Sequence, residues 1–408
     1  MIIYIIVALI LGILAGTLTG LFPGIHINLI AILLLSISST LLNITSPLTL
    51  IVFITAMAIT HTFLDFIPSI FLGAPDEDSI LSILPGHKLL LKGQAYYAVI
   101  LTLYGSLTGL IIIFLLLPIF IYLLPYIYDY VQSIIWLILL IASGYLIFFT
   151  EKEWKYKLWA LIIFLLAGFL GIASLNLNLK EPLLPLLTGL FGASNLIISM
   201  KNKIKIPEQK IASIQDIRLN KKSIAKASIA SIIASPLTAF LPGLGAAQAA
   251  VIGSEVVGDY KKIEQKEFLF LLGAINTIVM GLSFITLYSI QKARTGAAIA
   301  ISKLIPELTT PHLLYILGTI IIAGIISFFL AIFISRQIAK HIHKFNYTKL
   351  SIVILTILTL ITIIFTGFLG LLVFLIATSL GIATILLGIK RIHLMGCLLI
   401  PTILFYLI

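Results

Sequence analysis

The chain has 408 residues, of which 61% are hydrophobic and only 10% charged, with a mean hydropathy of +1.21. Soluble globular domains carry roughly a quarter charged residues, so this composition excludes a water-soluble enzyme or binding domain and implies a multi-pass, all-α membrane protein. The formal charge of +11 does not point to nucleic acid, because Lys and Arg gather in short intervals between apolar runs, as their retention on the cytoplasmic side requires. The single cysteine, Cys397, lies in the last apolar run, which excludes disulfides and cysteine-based metal clusters.

Apolar stretches near the length of a bilayer crossing recur from the first residues to the last, predicting about 11 to 13 helical elements and no separate soluble domain. The chain opens on Met-Ile-Ile-Tyr without a basic region, which reads as a retained first helix. This helix is expected to stop at Phe22-Pro23-Gly24, ahead of His26 and Asn28. Proline removes a backbone donor and glycine frees the dihedrals. The polar groups left open at membrane depth survive only around a cavity or inside protein. A helix N-terminus beside His26 and Asn28 suits a carboxylate.

His61 and Asp65 stand four apart. On a helix they share one face and read as a proton relay, half a metal site or a buried pair joining two helices. The pattern then breaks at Gly73-Ala-Pro75-Asp76-Glu77-Asp78-Ser79 and again at Leu84-Pro85-Gly86-His87-Lys88. Irregular backbone of this length predicts a re-entrant hairpin within Ile59 to Gly93. Asp76 and Asp78 are candidates for holding a coupling cation or proton, or a solvated loop tip.

Charge bias places Tyr126 to Gln132 outside, Glu151 to Lys157 inside, Asn176 to Glu181 outside, and the basic interval Lys201 to Lys222 inside. The second half opens with Thr238-Ala-Phe-Leu241-Pro242-Gly243-Leu-Gly245, which repeats Thr19-Gly-Leu-Phe22-Pro23-Gly24-Ile-His26. The two prolines lie 219 positions apart (242 − 23), about half the chain. Gln248 follows the second breaker, Asn276 sits inside an apolar run, and Gln291-Lys292-Ala-Arg294 resembles Lys92-Gly93-Gln94-Ala95. Asn276 is a candidate polar ligand or an interhelical bond. Arg294 is a candidate anion partner or a snorkelling interfacial residue. Arg336 to Lys349 reads as inside, followed by spans at Ile352 to Phe365 and Leu371 to Leu387 and a last apolar run. The expected division is 1–200 as a first repeat, 201–222 as a cytoplasmic linker, 223–335 as a second repeat, and 336–408 as appended helices forming a scaffold or partner surface. Paired interruptions in corresponding halves point to a secondary transporter with inverted repeats and a midplane site.

These motifs resemble the large membrane subunit of the tripartite tricarboxylate transporters, whose members carry a Pro-Gly-x-Gly breaker near the start of each half. The resemblance rests on Phe22-Pro23-Gly24, the Gly73 to Pro75 turn, Pro85-Gly86-His87 leading to Lys92-Gly93-Gln94-Ala95, and Leu241-Pro242-Gly243-Leu244-Gly245, in that order. His26 stands where the second breaker has Gly245, and the turn reads Gly-Ala-Pro-Asp where the family has Asn-x-Pro-Gly. The chain therefore looks like a divergent, short member. The resemblance implies a secondary active transporter of an organic anion of the carboxylate class in the cell membrane. Its partners would be that small anion, the lipid bilayer, and a small membrane subunit or a second copy, with no nucleic acid. Pro23, Gly24, His26, Asn28, Pro242, Gly243, Gly245, Gln248, Asn276 and Arg294 would bind substrate, and Asp65, Asp76 and Asp78 a coupling Na⁺ or H⁺. No other cofactor and no resident metal is expected. Alternatives are a lipid or polyprenyl-phosphate flippase and an intramembrane enzyme using His61 and Asp65, though no HExxH, GxSxG or P-loop supports the latter.

Overall fold

The computed structural model describes residues 2–22, 42–43, 45–73, 83–201, 206–211, 220–240, 265–305 and 307–407, with isolated positions between 246 and 253. Among these residues every regular element is helical, because lipid offers no hydrogen-bond partners and a helix satisfies its backbone internally. The first half contributes α1 (Ile2–Leu21), α2 (Pro47–Leu64), α3 (Phe66–Leu72), α4 (Ile83–Leu91) and α5 (Ala95–Tyr122). It continues through α6 (Leu124–Thr150), α7 (Trp154–Asn176), α8 (Leu183–Leu187), a π-helix (Thr188–Ala193) and α9 (Ser194–Lys201). Then come α10 (Lys221–Phe240), α11 (Gln265–Ile290), α12 (Gly296–Leu304), α13 (Thr310–His341), α14 (Tyr347–Leu386) and α15 (Gly396–Leu407). Eight stretches among the described residues are long and apolar enough to cross a membrane, so the chain is a multi-pass membrane protein. The two spans expected after Lys349 are the two arms of α14, divided at Gly367, whose φ of 66° and ψ of −162° interrupt the helix.

Two spans form the centre. In the most apolar 18-residue window of each span, 94% of the residues are buried for Pro47–Leu72 (α2 and α3) and 100% for α11, against 28% for α1 and 33% for α14. A helix apolar on all sides is one enclosed on all sides. Glycines set how tightly these central helices are held. A Cβ at Gly105 of α5 would collide with the Phe270 carbonyl of α11, and one at Gly273 of α11 with the Thr102 carbonyl of α5. Gly12, Gly16 and Gly20 of α1, spaced four apart, bring that helix onto the Phe53, Met57 and Leu64 positions of α2. Small residues at this spacing let backbones approach and maximise dispersion contacts where lipid supplies no hydrophobic drive.

The packing is reciprocal between the halves. α1 lies on α2 as α10 lies on α11, α13 packs against α2 as α5 packs against α11, and α12 touches α2 as α4 touches α11. α1 ends at Leu21, two residues before Pro23, and the described part of α10 runs to Phe240, two residues before Pro242.

Part of the basic linker is docked. The Gln209 side chain, 5% exposed, accepts from Ala95 N (3.0 Å) at the start of α5 and donates to Leu90 O (3.1 Å) at the end of α4. Lys210 N donates to Gly93 O (2.8 Å). One amide side chain thus closes two helix ends that would otherwise leave backbone groups open. Gly93 has φ +74°, and a Cβ there would stand 2.8 Å from Glu208 O.

The C-terminal section is fastened by buried charge. Glu151, at the end of α6, accepts from Lys390 N (3.1 Å) and pairs with His393 Nε2 (3.2 Å). Burial by itself would raise the Glu151 pKa, but the His393 and Lys390 contacts outweigh it and hold the carboxyl below its ordinary 4.5. A lowered folded-state value means stability that is complete above the ordinary carboxylate range and lost as pH falls through the folded value. Glu151→Gln is therefore expected to lower the melting temperature in detergent at neutral pH, with the difference from wild type vanishing under acid. A difference independent of pH would contradict an ionised Glu151 in this contact. Separately, Gly105→Leu and Gly273→Leu should abolish a monodisperse folded protein. Gly144→Ala and Gly318→Ala, whose added Cβ would meet nothing within 4 Å, should be neutral or stabilising by up to ~1 kcal/mol, read as a shift in melting temperature.

Candidate functional site

Asp65 sits at the joint between α2 and α3. Pro68 has no N–H to donate to the Leu64 carbonyl, so the ladder is interrupted there. Asp65 keeps helical dihedrals (φ −60°, ψ −24°), and its N–H donates to His61 O (3.0 Å). Its side chain is turned inward and the residue is 2% exposed. Asn276, in the middle of α11 and equally enclosed at 2%, donates from Nδ2 to Asp65 Oδ2 at 2.9 Å. The central helices of the two halves are thus joined by a carboxylate–amide bond.

Hydroxyls and one imidazole gather around this crossing. Thr62 and Thr277 hydroxyls stand 3.4 Å apart, and Ser327 Oγ of α13 donates to Thr60 Oγ1 (2.8 Å). His61 Nδ1 lies 3.1 Å from Thr19 Oγ1 of α1, and Ser106 Oγ of α5 donates to Gly273 O (3.1 Å). The close approaches described above create the register. Gly20 lets α1 settle beside His61 O and Asp65 N (3.1 and 3.3 Å from an added Cβ), and Gly273 lets α11 bring Asn276 within reach of α2. A carboxylate this enclosed is expensive as a bare anion. The arrangement is suited to taking up a cation or a proton and to sensing the position of α11.

Of the residues singled out in the sequence, Asp65 and Asn276 are brought together. Asp65 reads from sequence as a coupling-ion ligand or part of a buried pair, and Asn276 as a substrate ligand or an interhelical bond; the contact observed is an interhelical bond. His61 is one turn before Asp65 and bonded to Thr19. Arg294 lies past the end of α11, about 20 Å along the helix axis from Asn276, where its charge acts on Tyr406. Pro23, Gly24, His26, Asn28, Asp76, Asp78, Pro242, Gly243, Gly245 and Gln248 lie outside the described residues. Among the described residues no group of three or more His, Cys, Asp or Glu side chains forms a metal cage. Thr19, Thr60, Thr62, Thr277 and Ser327 were not legible, because Ser and Thr in apolar helices usually bond their own preceding turn.

A model of the tripartite tricarboxylate transporter TctA family matches residues 6–396, both halves and the start of the last helix. The chain belongs to this family. It is therefore a component of a membrane transport system, as the motifs implied. An uncharacterised protein of Methanocaldococcus jannaschii is 31% identical over 397 residues, covering 95% of each chain. No solved structure matches the chain.

The Asp65–Asn276 bond is open to a double-mutant cycle. Asn276→Leu strips a buried acceptor of its donor and should cost roughly 1–3 kcal/mol, whereas the same change in an Asp65→Leu background should cost much less. Equilibrium unfolding in mixed micelles measures both. A coupling energy near zero would show that the two groups meet without holding the halves together.

Proposed function

We propose that this protein is the transporting subunit of an ion-coupled carrier for organic anions of the carboxylate class, working by alternating access between two inverted halves. The observation that carries the reading is the Asp65–Asn276 contact between the most enclosed helices of the two halves. Family membership supports the substrate class. The repeated Pro-Gly breakers and the reciprocal packing support a two-fold architecture of the kind that secondary transporters use.

In this reading the chain ends released at Pro23-Gly24 and Pro242-Gly243 present backbone donors and positive helix ends to the anion. His26, Asn28 and Gln248 add side-chain contacts, and Asp76 and Asp78 stand with Asp65 as candidates for the coupling ion. Arg294, at the membrane boundary, attracts the anion before it enters. Coupling follows from charge. An anion brought near ionised Asp65 in a low-dielectric interior is repelled, and Na⁺ or H⁺ on Asp65 removes that repulsion. The doubly occupied and empty proteins are then the two states that change access readily. Displacing α2 against α11 breaks the Asn276 bond, so occupancy and position inform each other. The family's tripartite systems add a small membrane subunit and an extracytoplasmic binding protein, and both are candidate partners here.

Uptake of radiolabelled di- and tricarboxylates into proteoliposomes under imposed Na⁺ or H⁺ gradients tests the proposal. Wild type should accumulate substrate against its gradient. Asp65→Asn should lose accumulation but keep exchange of internal for external substrate, and Gly24→Leu and Gly243→Leu should lose both. Full gradient-driven accumulation by Asp65→Asn would remove this carboxylate from coupling. Folded wild type that moves no carboxylate would sink the substrate class.

A further inference from the structure

α3 carries Asp65 at its start and Gly73 at its end, so it is a rod about 10 Å long that ties the carboxylate to whatever holds its far end. Helix C-termini leave carbonyls without intrahelical donors, and here two are taken by side chains from far along the chain. Tyr347 Oη, at the start of α14, donates to Leu72 O (3.2 Å), and Asn195 Nδ2 of α9 donates to Gly73 O (3.3 Å). Gly73 is left-handed (φ 66°, ψ 23°), and a Cβ there would collide with the Asn195 amide. The Tyr347 ring also faces the His87 ring of α4 at 6.1 Å and 39°, so one residue touches both α3 and α4.

Asn195 takes its direction from the π-helix. The wider turn of Thr188–Ala193 shifts the register of every residue that follows, relative to an uninterrupted α-helix. Arg391 braces that turn. Its Nη2 donates to Leu190 O (3.3 Å), Phe191 O and Ser194 Oγ (3.2 Å), and the guanidinium lies 5.3 Å over the Phe191 ring. Opposing this hold is His87, whose Nδ1 and Nε2 are both buried without a hydrogen-bond partner among the described residues. Such an orphaned group favours any displacement of α4 that would let it find one.

We infer that Tyr347, Asn195 and, through the π-helix, Arg391 form a clamp that fixes α3 and α4 and thereby positions Asp65, and that its release is a step in transport. The transport role rests on Asp65 as the coupling group, whereas the clamp itself does not. Hydrogen–deuterium exchange on the full-length protein in lipid nanodiscs reads the clamp directly. Tyr347→Phe, which keeps the ring, and Asn195→Ala should each speed exchange of the α3 and α4 amides roughly three- to tenfold and leave α11 unchanged. Arg391→Lys, which keeps charge but loses the planar fork, should release the same amides. In proteoliposomes these positioning variants should change the maximal rate and leave the half-saturating substrate concentration as in wild type. Unaltered exchange in α3 and α4 in both Tyr347→Phe and Asn195→Ala overturns the clamp, and so does a uniform rise across the protein. Local release with an unaltered rate overturns its part in the cycle. Should wild type move no carboxylate, the exchange results still decide the clamp, and the failure belongs to the proposed function.

Discussion

A carboxylate within a membrane-spanning stretch has to be enclosed by protein, and the rest of this bundle is organised around meeting that condition for Asp65. Asp65 is admitted because α2 and α11 are covered on every side, and they are covered because glycines let α1 and α5 come within backbone contact. Larger residues at those positions would push the helices apart and open the crossing to lipid, where neither the acid nor its amide partner finds a donor or acceptor. The polar pair and the glycine contacts are one design, with the first specifying which faces meet and the second making the meeting close enough.

Much of the scaffold was legible because the membrane constrains it so strongly. Apolar length marked the spans, Gly367 fell between the two spans expected after Lys349, and the first breaker marked where α1 ends. The site was legible residue by residue but not as a constellation. Asp65 and Asn276 each stood out as polar groups in apolar runs, yet they were given different roles, since 211 intervening positions hide a contact that only helix packing creates. The docking of Gln209 was illegible for the opposite reason. A basic, polar interval reads as solvated linker, and a single amide that closes two helix ends leaves no periodic trace. The π-helix around Gly189 and Gly192 and the buried Arg391 that braces it were likewise invisible, because an arginine after an apolar run reads as an interfacial charge.

The C-terminal section, outside the two matching sets of helices, is more than a cover. It reaches back to the first half through Glu151, the π-helix and the end of α3, and so braces the first of the two sets. The first set is held at the end of α3 by side chains from α9 and α14.

The Asp65–Asn276 bond also imposes an order on how the protein is made. Translation proceeds at about 5–20 residues per second, so the 211 positions that separate the two residues put about 10–40 s between the synthesis of Asp65 and that of Asn276. During that interval an acidic residue inside a membrane-spanning stretch lacks this donor. The neighbouring Thr19–His61 contact and the glycine-packed α1 are already in place to shelter it. The order of synthesis thus leaves the carboxylate to be completed by a helix that is made much later in the chain.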